Sequence, residues 1–274
     1  PTPPPVPELE PDLRKNADKA ADETATLPPV FRFVILKPKG GEVKMFYFDI
    51  NYLIYMLPAI LLGLYAQGKV QSTYGKYSRV PSRRGLTGAQ AARYLLDSAG
   101  LQDIAIERVP GQLSDHYDPR SKVLRLSDAV YTSPSVAALG IAAHECGHAI
   151  QHDTGYVPLS FRNNFYPVAN IGTNLGWVFI FIGFLLINSD LGKGMFTLGI
   201  LGYAAAAVFS IVTLPVEFNA SKRAMAVLTE KGIITMDESE GAKKVLDAAA
   251  LTYVAAALSA IMTILYLIGL RRDD

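Results

Sequence analysis

His144, Glu145 and His148 stand in the run His-Glu-Cys-Gly-His, residue types suited to holding a metal and moving a proton. On an α-helix, positions four apart share a face. Both imidazoles can then reach one zinc ion at about 2.0–2.1 Å. Glu145 lies one position round from the first ligand, beside the coordination position left open. There it can take a proton from water and hand it to a leaving amine. Ala137, Ala138, Leu139, Ile141, Ala142, Ala143, Ala149 and Ile150 surround the run, so the helix is expected to be largely buried. Buried His and Glu side chains need partners, which argues against two surface histidines beside an unrelated glutamate.

One zinc ion needs a further protein ligand. His152 continues the spacing, but at a rise of ~1.5 Å per residue it stands about 12 Å from His144 along a straight helix. One tetrahedral ion cannot bridge that gap, and the Gly-turned loop that brings a third histidine round in metzincins is missing. His152 is expected to be an outer partner of the ligands or a structural residue. Glu217, in Leu214-Pro215-Val216-Glu217-Phe218-Asn219-Ala220-Ser221, is the better candidate. It is read either as the third ligand or as a charge marking a membrane exit. Two crossings separate it from His148, an even number, so both lie on the same side of a membrane.

Those crossings come from four uncharged apolar stretches: Ile50 up to Lys69, Phe165–Ser189, Gly194–Val216 and Ala248–Leu270. Each can span a hydrocarbon core as a helix of about 20 residues. Burying four such blocks in the core of a soluble protein is the poorer reading for a chain that is 50% hydrophobic. The first block lacks a basic leader and a small-residue cleavage site, so an uncleaved anchor is expected rather than a signal peptide. The net charge of +1 gives no electrostatic reason for nucleic-acid binding. Cys146 is the single cysteine, so no internal disulfide can form.

The expected fold class is mainly α and integral to a membrane, with about four transmembrane helices. Residues 1–44 form a flexible, Pro-rich extension, with Val30–Leu36 a short strand or helix; Met45 is a candidate start of the natural chain. Segments 45–67, 165–189, 194–216 and 248–270 are the spans. The catalytic region is 68–164, and 217–247 is a polar helical segment broken at Gly232. Within the catalytic region Thr87 caps a helix that ends at Gly100. Strands fall near Ile104–Val109 and Lys122–Leu126, around a turn at Asp118-Pro119-Arg120-Ser121. Ser133-Pro134 starts the metal-site helix, which runs to about His152 and stops near Gly155. After the first span come Lys69, Lys76, Arg79, Arg83 and Arg84 with no acid before Asp97. This places the catalytic region in the cytoplasm, although Arg271 and Arg272 then face out.

The chain resembles the YugP-type neutral zinc metallopeptidases of prokaryotic membranes. The resemblance rests on Leu113-Ser114-Asp115-His116-Tyr117-Asp118-Pro119, on Ala142 to His152, on Pro167-Val168-Ala169-Asn170, and on Leu214 to Ser221. It covers residue 45 to the end. It implies a small α+β zincin-like domain carrying the HExxH helix and a gluzincin-like site with one zinc ion. His144, His148 and Glu217 would be ligands and Glu145 the base. Glu217 to Ser221 is similar to the Glu-x-x-Ala-Asp element of other membrane gluzincins, with Ser221 in place of Asp. Asn219, Ser221 and His152 are then the candidates for holding the ligands from behind. Position 146 is usually aliphatic in such sequences, so Cys146 is a small core group or an oxidisable neighbour of the metal.

Related zincins bind substrate backbone along an edge strand before the zinc helix, and Lys122, Val123, Leu124, Arg125 and Leu126 match that segment. His116 or Tyr117 could donate to the oxyanion, or their run could be a turn held by its own hydrogen bonds. The implied activity is hydrolysis of a peptide or membrane-protein segment near the bilayer, in a prokaryotic inner membrane. Two other classes share these residues: a membrane zinc hydrolase of non-peptide amides or esters, and a non-catalytic zinc-binding scaffold.

Overall fold

The computed structural model describes residues 50–272; Val30–Leu36 and the rest of the Pro-rich extension lie outside them. Four helices are long and apolar enough to cross a membrane. They are α1 (Ile50–Tyr77), α5 (Val157–Leu185), α6 (Asp190–Glu230) and α7 (Met236–Arg272). Between α1 and α5 lie α2 (Gly88–Ser98), β1 (Ala105–Val109), β2 (His116–Asp118), β3 (Val123–Ser127), α3 (Asp128–Thr132) and α4 (Val136–Asp153).

Local chemistry fixes the water-facing elements. The Thr87 side chain caps the amide of Gln90 while the Gln90 side chain returns to the Thr87 amide, a reciprocal capping box. Helix α4 starts two residues later than the Ser133-Pro134 expectation. Ser135 is its cap, accepting from the Ala138 amide at 3.3 Å. The reason is tertiary: the Ser133 and Pro134 carbonyls accept from Gly88 and Ser82, which holds these residues extended. The turn forms as expected, with Asp118 accepting from the Arg120 amide and the Ser121 hydroxyl.

The sheet corrects one expectation. The order is β1-β3-β2, with β1 parallel and β2 antiparallel to β3. Lys122–Leu126 is therefore not an edge. From Val123 to Arg125 the strand is paired on both sides, leaving no free ladder there for a substrate. The free edge next to the metal-site helix is β2, which the sequence presented as a turn. The sheet, α2 and α4 share one core with the end of α6, the 231–235 connection and the start of α7. Leu95, Leu96, Leu124, Leu126, Leu139, Leu228, Ile233 and Leu246 fill it.

The spans run beyond their apolar blocks. Helix α6 has 41 residues, so Glu217 sits inside a helix rather than at its end. The break at Gly232 is present, with φ +58°. Helices α5 and α6 form a close hairpin: a Cβ on Gly199 would lie 2.9 Å from the Gly176 carbonyl oxygen. Small residues let helix backbones approach where lipid offers no hydrophobic drive to association. Helix α1 lies against α7 through Tyr52 and Tyr55, whose rings meet Tyr266 at centroid separations of 5.1 and 6.0 Å. Trp177, Phe181, Leu185, Leu198 and Leu201 stay exposed along the spans, as lipid-facing side chains do.

Candidate metal centre and active site

Helix α4 presents His144 and His148 on the face turned toward α6. That approach depends on Gly147. A Cβ there would lie 2.5 Å from the Ala220 carbonyl oxygen, so only glycine lets the two backbones meet. Ala220 stands one helical turn below Glu217, and the contact brings the carboxylate to the imidazoles. Glu217 Oε2 lies 3.2 Å from His144 Nε2 and 3.5 Å from His148 Nε2. A tetrahedral ion with bonds of about 2.0–2.1 Å separates its ligand atoms by about 3.3–3.4 Å. The three side chains thus fit one zinc ion in donor type and spacing, and among the described residues they form the one cluster able to hold a metal.

Each of the three side chains is held from behind. The other carboxylate oxygen of Glu217 accepts from Arg162 Nη1 at 2.9 Å. With Oε1 taken, Oε2 is left for a metal, and the guanidinium offsets a carboxylate that is 4% exposed. His144 Nδ1 meets the Ser221 hydroxyl at 3.1 Å, and His148 Nδ1 meets Gln151 Oε1 at 3.0 Å. Such outer partners orient metal ligands and tune affinity. Burial works against protonation of His148, but Glu217, Glu145 and Gln151 outweigh it and hold its pKa above the ordinary imidazole value.

A cleft of about 180 Å³ opens on this cluster. Glu145 lines it beside the ligands. Asp115, His116 and Tyr117 form one wall, Leu159, Arg162 and Asn163 of α5 another, and Tyr253 of α7 a third. Asp115 takes the Ser127 amide and hydroxyl at 2.7 and 3.1 Å, tying the entry of β2 to the end of β3. Burial raises the Asp115 pKa despite those bonds.

The other expected residues fall at different distances from the cluster. His116 borders the cleft with Nδ1 on the Ser114 carbonyl at 2.8 Å. Its Nε2 is then an acceptor unless the ring is protonated, so a neutral His116 cannot donate to an oxyanion. Burial, with Asp103, Asp118 and Asp153 nearby, pushes the Tyr117 hydroxyl up to about 12. It remains a neutral donor, 2.9 Å from His152 Nδ1. His152 thus pairs with β2 and stands apart from the metal cluster. Ser221 touches a ligand directly. Asn219 reaches the cluster only through Gln151, at 2.9 Å. Cys146 points away toward α2, its Sγ 3.7 Å from the Ala92 carbonyl. It is 1% exposed; burial, with Glu145 adjacent, drives its thiol pKa up. It is a core group.

Arg162, Gln151 and Tyr253 escape the sequence reading. Arg162 has a faint signal, a lone cation with Asn163 and Asn164 at the mouth of an apolar block.

The fold and cluster together define a chain with four helices long and apolar enough to cross a membrane and, among its described residues, a two-histidine, one-glutamate group able to hold a metal. The chain belongs to the family described as "putative neutral zinc metallopeptidase", whose profile matches residues 52–272. It is 44% identical over 214 residues to the protein named "Putative membrane protease YugP" of Bacillus subtilis strain 168, covering 78% of this chain and 93% of that one. No solved structure matches it.

Proposed function

We propose that this chain is a zinc-dependent endopeptidase that cuts peptide segments at a membrane surface. The observation carrying this reading is the convergence of His144, His148 and Glu217, with Glu217 Oε2 3.2 and 3.5 Å from the two Nε2 atoms and all three donor atoms within 4.8 Å of one another, in a cleft that Glu145 also lines. A zinc ion held there supplies Lewis acidity toward an amide carbonyl and lowers the pKa of water. Glu145 accepts the proton of the attacking water and delivers it to the leaving nitrogen, completing a gluzincin-like centre in a zincin-like domain. Arg162 and Tyr253 line the cleft as neutral or cationic donors toward developing oxyanion charge. His116 adds to them only as imidazolium.

The free edge of β2 offers the substrate a backbone ladder. No further backbone partner takes that edge among the described residues. An extended peptide added there runs along the cleft wall toward Glu145, a common way to hold a peptide.

Three helices measure the height of the site. At ~1.5 Å per residue, Arg162 stands ~35 Å from Leu185, Glu217 ~40 Å from Asp190 and Tyr253 ~26 Å from Leu270. A hydrocarbon core is about 30 Å thick, so the cleft falls at the near interface. Substrates are then segments of membrane proteins or peptides lying close to the bilayer. The basic run Lys69, Lys76, Arg79, Arg83 and Arg84, all exposed, supports reading that side as the cytoplasm of a prokaryotic inner membrane.

The test is zinc content and casein or membrane-protein cleavage for wild type, Glu145→Gln and Glu217→Ala. Glu145→Gln should keep stoichiometric zinc and lose about 10²–10⁴-fold in rate, the contribution of a positioned general base. Glu217→Ala should lose zinc. Cleavage by Glu145→Gln at the wild-type rate sinks the mechanism, and full zinc in Glu217→Ala sinks the ligand set. A zinc-loaded wild type that cleaves no protein but hydrolyses small amides or esters assigns the centre to another hydrolase class.

A further inference from the structure

Gln151 is the most fully engaged buried polar side chain near the metal centre. It lies one turn after His148 on α4 and is 0% exposed. Its amide nitrogen has two hydrogens. One goes to the Val216 carbonyl at 2.8 Å and the other to Asn219 Oδ1 at 2.9 Å. Asn219 Oδ1 also accepts from Arg223 Nε at 2.8 Å, so turning the Asn219 amide over would break a second bond. Both acceptors belong to α6. They dictate which end of the Gln151 amide faces them, and Oε1 is left turned toward His148 Nδ1 at 3.0 Å.

An amide oxygen only accepts. His148 Nδ1 must therefore carry a hydrogen, and in the neutral ring that leaves the Nε2 lone pair facing Glu217. His144 has no such constraint, because the Ser221 hydroxyl on its Nδ1 can donate or accept. We propose that Gln151 is a positioning residue that fixes His148 in the Nδ1–H form, and that α6, through Val216 and Asn219, sets the Gln151 amide for this task. The inference rests on reading His144, His148 and Glu217 as the metal centre. It goes beyond that reading in assigning one side chain the choice of tautomer and in making α6 supply both a ligand and the control of another.

The bland alternative is that Gln151 merely ties α4 to α6. Gln151→Met removes every polar atom at nearly constant length, while Gln151→Glu keeps an acceptor toward His148 and removes both donors to α6. The full chain in detergent is read in two ways: zinc affinity by chelator competition, and the ring nitrogen shifts of ¹⁵N-histidine in zinc-free protein. At a pH above its raised pKa, wild-type His148 should be the Nδ1–H tautomer. Gln151→Met should show mixed tautomers and about 10–100-fold weaker zinc binding, the usual cost of removing an outer partner. Gln151→Glu should keep the tautomer and lose less affinity than Gln151→Met, although its Tm falls. An Nε2–H tautomer in wild-type protein overturns the proposal, as does a Gln151→Met that keeps both the tautomer and zinc affinity. A wild type that binds no zinc fails the metal reading instead, and the zinc-free spectra still decide the role of Gln151.

Discussion

Helices α4 and α6 both deliver side chains to the candidate metal cluster, yet they differ in how protein buries them. Twelve of the 18 residues of α4 are buried by protein. Along α6, with 41 residues, burial is sparse and concentrates around Val216, Glu217, Ala220, Ala224 and Leu228, where it meets the water-side core. Elsewhere α5 covers one side of it and the rest is exposed and apolar. The comparison teaches that neither half makes the site. The histidines need a water-packed helix that excludes solvent, and the glutamate needs a membrane helix brought within backbone contact of it. Metal binding and the docking of the two halves are therefore coupled.

The sharpest way to break that coupling is Gly147→Val. Its Cβ would collide with the Ala220 carbonyl, and overpacking of this kind costs about 1–3 kcal/mol. We expect zinc stoichiometry near zero and a lowered Tm, although no ligand has been touched. Full zinc occupancy in this variant would show that the halves need not meet at position 147. Next in size is Arg162→Met, which leaves Glu217 Oε1 without its cation. Zinc should bind about 10–100-fold more weakly, and the deficit should persist in peptides as well as protein substrates.

Acid should act on the histidine half. A ligating imidazole must be neutral, and the zinc-free site holds the His148 pKa above the ordinary value of about 6.5. Protonation of His148 therefore competes with metal from a higher pH than for a free imidazole, and affinity falls as pH drops through that raised pKa. Zinc competition titrations from neutral to acid pH measure it; a flat profile across the imidazole range contradicts the assignment. The smallest effect belongs to Cys146→Ala. The thiol faces α2 and not the metal, so activity should be unchanged, and the native thiol should resist alkylation until the protein unfolds.

How much of this could be read beforehand follows the same division. The histidine half was legible because its signal is local: an i, i+4 spacing in an apolar helix. Glu217 became legible only by counting crossings, which carries topology and no distances. The closeness that makes it a ligand depends on Gly147, a residue inside the motif whose purpose shows only against Ala220. Strand order is a tertiary fact, so β3 read as an edge while β2, written as Asp-His-Tyr-Asp-Pro, read as a turn. Arg162 was hidden by its surroundings, since a cation at the mouth of an apolar block reads as a border anchor. Ser135 displaced Ser133 as the helix cap because distant amides had claimed the carbonyls before it.

The length of α6 has a mechanical consequence. From Asp190 to Glu217 the helix forms an arm of ~40 Å, apolar along most of its length and carrying a carboxylate of the candidate metal cluster. A rocking of one degree about the far end sweeps the carboxylate by about 0.7 Å over such an arm, more than the tolerance of about 0.2 Å on a coordination distance. A helix longer than the local bilayer is accommodated by tilting, kinking or a local change in bilayer thickness, within what its packing allows, and the backbone stop between Gly147 and Ala220 limits the swing in one direction. In a bilayer, any such tilt reaches the carboxylate of the candidate metal cluster through the length of this one helix.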